Sequence, residues 1–263
     1  MGVQQAVKVG RLPVGLEAGP DGKAVFSLQH TDKTLWMQPV NGGKGQIVAK
    51  FDECPQDLAI GQAAAWVLTW PDCSSNDSRL IRVLKTGRRE QTGLLGGWGE
   101  AVALGHGSAW VAHPSGGFVS RVDLKSLAVD RVELGDFSGW EIVDAGSVVL
   151  AGGRAGDDNT RGLVVAIDPA SGLEIARIEV AEMVQRIAVD GDRAYAIGLD
   201  GRMFVLAIGG LKLIGDYTNE FGKYRPSDAL IATIGGAHTL IVIAQQLNGE
   251  NGAVIQFSPP PGP

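Results

Sequence analysis

Trp98–His113 reads WGEAVALGHGSAWVAH, a short apolar run, a tight glycine-containing turn and a second apolar run. The same pattern occurs five more times: LPVGLEAGPDGKAVFSL from Leu12, CPQDLAIGQAAAWVLTW from Cys54, GWEIVDAGSVVLAGG from Gly139, VQRIAVDGDRAYAIG from Val184 and SDALIATIGGAHTLIVIAQQ from Ser227. With Phe26, Trp66, Trp110, Val149, Tyr195 and Leu240 as equivalent anchors in the second run, the intervals are 40, 44, 39, 46 and 45 residues. A period of about 43 residues carried through six copies belongs to repeat architectures.

Each pair is followed by a loop of variable length and two further short runs. In the third unit these are FVSRVDL and VDRVEL around Lys125–Leu127, and in the fourth GLVVAIDP and LEIARIEV around Asp168–Gly172. Alternation in RVDL and ARIEV has the period of two of half-buried strands. Four strands per unit, radially repeated, predict an all-β six-bladed β-propeller with four-stranded antiparallel blades. The sixth unit supplies three strands and stops in SPPPGP, whose prolines cannot donate to a ladder, while the run QAVKV from Gln5 to Val9 is an orphan. The expected solution is closure of the ring, the N-terminal strand joining the last blade and removing an open edge. The chain then reads as one propeller domain, residues 1–258, with a Pro-rich tail at 259–263. A β-sandwich of six hairpins shares the turns but accounts neither for the spacing nor for the missing strand. Too little unassigned chain remains for another ordinary blade, so a seventh would have to be a degenerate one hidden in a loop.

At 263 residues with 44% hydrophobic and 20% charged side chains, a packed core is expected, and 38 glycines with 12 prolines disfavour long helices. A net charge of -6 offers no polycationic footprint for a phosphate backbone, so nucleic acid is not an expected partner. No run approaches the length of a membrane span and the first ten residues hold no apolar leader segment, so membrane insertion is not expected. A monomer is expected, either exported with its leader already absent or cytoplasmic.

Gly105–Leu134, GHGSAWVAHPSGGFVSRVDLKSLAVDRVEL, resembles the repeat of the YVTN, NHL and virginiamycin-B-lyase-like propellers, in which a G-x-G-x-x-W-V strand precedes an R-V-D or R-I-D strand. The resemblance covers nearly the whole chain and is sharpest at Arg121-Val122-Asp123 and Ala166-Ile167-Asp168. It implies the propeller architecture and leaves function open, because the group includes lyases, substrate-binding sensor domains and exported proteins. The lyase branch uses a histidine pair, a glutamate and a magnesium ion at the channel mouth. Here His106 and His238 fall in first-to-second strand turns on the opposite face. His30 and His113 lie at the mouth face but in units one and three, so the lyase histidines have no residue-by-residue counterparts.

In such a fold the first strand of each blade lines the channel, and its start meets the loops joining second to third strands on one face. Those loops are the variable ones: Trp70–Ser78, Gly152–Arg161 and Gln245–Gly252. This face collects sixteen acids against eight bases, near -8, leaving the remainder near +2. The channel-strand starts hold Gln56-Asp57, Glu100, Glu141, Gln185-Arg186 and Ser227-Asp228. Clustered carboxylates there need pairing, hydration or a bridging cation, and Arg186 is the natural internal partner. Alignment on the anchors sets Gln56 and Gln185 opposite Glu100, which puts Asp57 and Arg186 one step out of register. Trp70, Trp98 and Trp140 lie at mouth-face ends or loops, where an indole can stack on a sugar, a peptide or an aliphatic chain. Trp66 and Trp110 read as inter-blade packing and Trp36 as part of a third strand.

No G-x-S-x-G elbow, H-E-x-x-H helix, Walker loop or D-x-D-x-D-G calcium loop is present. The sequence therefore points to a non-enzymatic binding module that holds a protein, peptide or glycan on its acidic face. Its candidate site residues are Asp57, Trp70, Trp98, Glu100, His113, Trp140, Glu141, Gln185, Arg186 and Asp228. The alternative is a metal-assisted lyase or hydrolase using Glu100 or Glu141 with a divalent cation at the channel mouth; no other cofactor is expected. Cys54, just before the first strand of unit two, and Cys73, in the loop after its second strand, return to the same blade edge. They are a disulfide candidate, and such a bond favours an exported location.

Overall fold

The computed structural model describes residues 11–73, 76–199, 201–217, 224–234, 237–246 and 252–257. The expected closing strand Gln5–Val9 and the tail 259–263 lie outside these residues. Six sheets follow one another along the chain: β1 (Pro13–Ala18), β2 (Ala24–Gln29), β3 (Thr34–Pro39) and β4 (Gln46–Lys50), then β5 (Cys54–Ile60), β6 (Ala64–Trp70), β7 (Arg79–Leu84) and β8 (Arg89–Gln91). The third holds β9 (Ala101–Gly105), β10 (Ser108–Ala112), β11 (Phe118–Asp123) and β12 (Val129–Glu133); the fourth β13 (Ser138–Asp144), β14 (Val149–Ala155), β15 (Asp158–Asp168) and β16 (Leu173–Val180). The fifth holds β17 (Val184–Asp190), β18 (Arg193–Gly198), β19 (Met203–Ala207) and β20 (Lys212–Tyr217); the sixth, among the described residues, β21 (Tyr224–Ile234), β22 (Ala237–Gln246) and β23 (Gly252–Phe257). Within every sheet the strands neighbour one another in chain order, so these are the blades of a six-bladed β-propeller, five four-stranded and one three-stranded as described. Among the described residues no helix is long and apolar enough to cross a membrane.

The chain divides into two compact units, Met1–Val111 with Val122–Asp130, and Ala112–Arg121 with Arg131–Pro263. In the first, β5 lies beside both β1 and β9; in the second, β17 lies beside both β13 and β21.

Period-two alternation builds the cores. In the second blade Ala65, Val67, Ile81 and Val83 pack toward the first blade with Leu28, Leu35 and Phe51. Their sequence neighbours Ala64, Trp66, Leu68 and Leu80 pack toward the third with Val102, Ala109 and Val111. The fifth blade repeats the division: Ala194, Ala196, Phe204 and Leu206 join the fourth blade's Leu150 and Val164, while Tyr195, Ile197, Met203 and Val205 join Leu240 and Val242 of the sixth. A strand covered on both faces reads as a near-continuous apolar run, which is why AAAWVLTW shows no polar alternation. Each fully buried Leu or Val removes side-chain area worth about 1.5–3 kcal/mol from water.

Polar groups stitch the outer strands. Arg82 donates to the Leu124 carbonyl, and Arg177 to that of Leu134 at 2.7 Å. The aspartates closing the R-V-D and A-I-D strands anchor the following turns: Asp123 accepts from the Ser126 amide at 2.7 Å, and Asp168 from the Ser171 amide at 2.9 Å. These bonds hold both carboxyls below the usual aspartate range; for Asp123 the Ser126 amide contributes most, for Asp168 the Ser171 hydroxyl. Outer strand β16 leaves Leu173 and Ile175 at 65% and 58% exposure.

Two expectations change. Gly152–Arg161, read from composition as a variable loop, is mostly strand: β14 and β15 run on and turn only at Gly156-Asp157. Arg154 braces that turn through Asp157 at 3.1 Å. Gly153, and Gly162 just past the segment, serve close backbone approach, since a Cβ on Gly153 would stand 1.9 Å from the Ser138 carbonyl oxygen and one on Gly162 1.7 Å from that of Glu182. The channel-strand register is also resolved. Five first strands carry an irregularity of one residue near their start, at Val14, Gln56, Trp140, Gln185 and Ser227. Such a bulge opposes two residues to one and re-aims the side chains that follow. Asp57, Glu141, Arg186 and Asp228 thereby share one position, the residue after the bulge, pairing with Leu68, Gly152, Ile197 and Ile243. Glu100 falls immediately before β9.

Candidate functional site

The carboxylates after the bulges hold backbone. Asp57 accepts the Val102 amide of the neighbouring first strand at 2.8 Å. Glu141 accepts the amide of Ile142 at 2.9 Å, and Asp228 that of Ala229 at 2.8 Å. Arg186 lies 3.8 Å from Glu141, the internal pairing anticipated for it, and donates to the Gln185 carbonyl at 2.6 Å. Gln185 and Trp140 are the bulge residues of their blades, both half-buried, with the Trp140 indole nitrogen turned inside. Glu100 is half-buried at the entry to β9. Among the described residues no group of three His, Cys, Asp or Glu side chains is placed to hold a metal ion.

His113 is not a surface group. It is fully buried, its Nε2 is 2.8 Å from the Ser120 hydroxyl, and its ring stacks on Phe118 at 4.4 Å. The reason is position: it stands three residues after anchor Trp110, as Gln29 and Thr69 stand three after Phe26 and Trp66, and all three are fully buried polar residues bonded to neighbours.

One residue further along, the side chains emerge at the same end of the blades. His30 and Trp70 are each four residues past their anchors, and their rings meet edge to face at 6.4 Å. Trp98, from the segment leading into the third blade, meets Trp70 edge to face at 5.5 Å. Three half-buried aromatic rings therefore run in a row across three successive blades of the first unit. The polar ends point inward: Trp70 Nε1 donates to the Gly99 carbonyl at 3.0 Å, and Trp98 Nε1 is buried. His30 Nδ1 donates to the Pro55 carbonyl at 2.9 Å, and the amide nitrogen of Gln56, the bulge residue, lies 3.1 Å from the same atom.

The row rests on a braced base. Cys54 and Cys73 form a disulfide with Cα atoms 5.1 Å apart, tying the start of β5 to the loop that follows Trp70. Asp77 accepts the amides of Ser78 at 2.8 Å and Gly96 at 2.9 Å, holding the Trp98 segment. Glu53 takes the Thr69 hydroxyl at 2.5 Å and lies 3.3 Å from Arg79, close enough for an ion pair though not aligned as a hydrogen bond. Arg11 donates to Asp32 and holds its carboxyl below the usual range. Sequence places His30 at the mouth face and Gln56 at a channel-strand start without including either among the candidate site residues; the signal that pairs His30 with Trp70 is their shared offset from the anchors.

No family model matches the chain, and no curated protein matches it. Solved structures do, 1188 chains among them, and that breadth cannot select a function. One, described as "Structure of Dos1 propeller", superimposes with a TM-score of 0.63 at 12% identity, covering 94% of this chain and 72% of its own. At that identity the likeness speaks for the fold, and the chain is a β-propeller protein.

Proposed function

We propose that this propeller is a non-enzymatic binding module that holds a protein, peptide or glycan at the blade ends where the first strands begin. The observation that carries the reading is the row His30, Trp70 and Trp98, whose polar ends are turned inward while the residues keep part of their surface exposed. Aromatic surface on a rigid base binds at low entropic cost. Asp57, Glu141 and Asp228 support it indirectly: they are occupied with backbone amides, work that shapes a site rather than chemistry at it.

The repeat's likeness to YVTN, NHL and virginiamycin-B-lyase-like propellers is compatible with this reading, since that group includes substrate-binding sensor domains as well as lyases. The disulfide supports an exported location, because stable disulfides are uncommon in reducing compartments. The test is an unbiased panel of immobilised peptides, proteins and glycans probed with wild type and Trp98→Ala. Specific retention that Trp98→Ala weakens is the expected result. Retention indifferent to Trp98, or turnover of a panel member, would overturn the reading.

A further inference from the structure

We infer that Asn41 is a site of self-modification, its side-chain amide closing on the Gly42 nitrogen to an imide that water opens to aspartate and isoaspartate. The pair stands in the turn between β3 and β4, beyond Met37 and Gln46, the last residues that the two strands pair, and Asn41, Gly42 and Gly43 are all exposed. Asn41 Oδ1 accepts the Gly43 amide at 3.1 Å. The ring which that bond closes runs through the Gly42 nitrogen, so the side-chain carbonyl is folded toward its attacker and polarised by the donor. Gly42 holds φ at +81°, and a Cβ built there would meet nothing within 4 Å, so neither a side chain nor a neighbour crowds the approach. Among the described residues the Gly42 amide meets no acceptor, which leaves its proton open to hydroxide from solvent. Gln38 braces the turn, its amide donating to the Gly43 carbonyl at 2.7 Å.

The other described asparagines are built differently. Asn159 lies in β15 with its Oδ1 taken by Arg154, and the next amide, that of Thr160, donates to Asp158 at 2.9 Å. Asn76 precedes Asp77, whose side chain stands where Gly42 has none. The chemistry at Asn41 balances with water alone. Hydroxide takes the Gly42 amide proton, the nitrogen bonds to Asn41 Cγ, and the Cγ–Nδ2 bond breaks, ammonia leaving on a proton returned by water. Water then adds to either imide carbonyl and breaks its bond to nitrogen. Opening at Cγ gives aspartate and restores the main chain; opening at the backbone carbonyl gives isoaspartate and routes the main chain through Cβ. Either product adds a carboxylate to the turn that carries Lys44, and isoaspartate is the substrate class of S-adenosylmethionine-dependent carboxyl methyltransferases.

The experiment incubates native protein at mildly alkaline pH beside Gly42→Ala and Asn41→Gln, with an unincubated control, and digests each with trypsin. Peptide mass and methyl transfer from labelled S-adenosylmethionine by an isoaspartyl carboxyl methyltransferase are the readouts. Trypsin separates the sites: peptide 34–44 holds Asn41, 51–79 holds Asn76 and 155–161 holds Asn159, while the asparagines outside the described residues fall in other peptides. Peptide 34–44 is expected to convert first, faster as hydroxide rises, and to accept methyl groups. Gly42→Ala should slow it about tenfold, because an L residue leaves that backbone region and takes the ring with it. Asn41→Gln, whose longer side chain would need a larger ring, should remove methyl acceptance from this peptide. Conversion of 51–79 or 155–161 ahead of 34–44, or an unchanged rate in Gly42→Ala, would overturn the inference. So would a native 34–44 segment that stays intact while the same segment as a free peptide converts.

Discussion

Breaking the Cys54–Cys73 bond should destabilise the protein by about 3 kcal/mol. The bridge closes a loop with a sequence separation of 19. Loop-closure entropy of roughly 2.1 + 1.5R ln 19, near 11 cal/mol/K, corresponds to about 3 kcal/mol at room temperature. The Cα separation of 5.1 Å lies within the range that disulfides span, so the native backbone need not move to accommodate it. Cys73→Ser is the cleaner substitution, because Cys73 is exposed, whereas Cys54 is 4% exposed and a hydroxyl there would add a buried polar group. For a chain of this size the loss should lower Tm by about 6 °C. Calorimetry of wild type, reduced and alkylated wild type, and Cys73→Ser measures it. Equal Tm values for all three, or two alkylatable thiols in protein purified without reductant from an oxidising compartment, would refute the reasoning.

Other perturbations separate packing from polar work. Leu68→Ala, at a fully buried position between the second and third blades, should cost about 2–5 kcal/mol in urea unfolding, and a cost below about 1 kcal/mol would contradict the inter-blade core. Asp57→Ala leaves the Val102 amide without its acceptor and should cost about 1–3 kcal/mol, while Asp57→Asn, which keeps an acceptor, should cost less; equal losses would mean the bond is not the cause. Because Asp123 and Asp168 have folded pKa values below their ordinary 3.8, their stabilisation is complete above that value and is lost as pH falls through the folded ones. A double Asp123→Ala, Asp168→Ala variant should therefore melt below wild type at neutral pH, the gap closing under about pH 4; a gap constant with pH would count against the turn-anchor role.

The hairpin repeat was legible because a blade buried on both faces writes long apolar runs punctuated by turns, and β16 falls on the LEIARIEV run read from sequence. Gly152–Arg161 misled because glycine signals a turn in sequence, whereas Gly153 is there to admit the Ser138 carbonyl. The bulges were not legible: a single extra residue leaves composition unchanged but decides whether Asp57 or Gln56 matches Glu141. The site divides in the same way. Aromatic residues at strand ends announced Trp70 and Trp98, but the task of each carboxylate depends on which amide stands within about 3 Å of it, and that is a property of packing between strands distant in sequence. His113 was misjudged by one step, the difference between the buried and the emergent residue at the end of a second strand.

The most direct test of the central claim is hydrogen exchange with and without whichever panel member the protein retains. Protection confined to the amides around Trp70 and from Gly96 to Val102, together with the start of β5, is the result expected if the aromatic row is the binding surface. Protection that falls instead on outer strands such as β16, with the Trp98 segment unchanged, would contradict it.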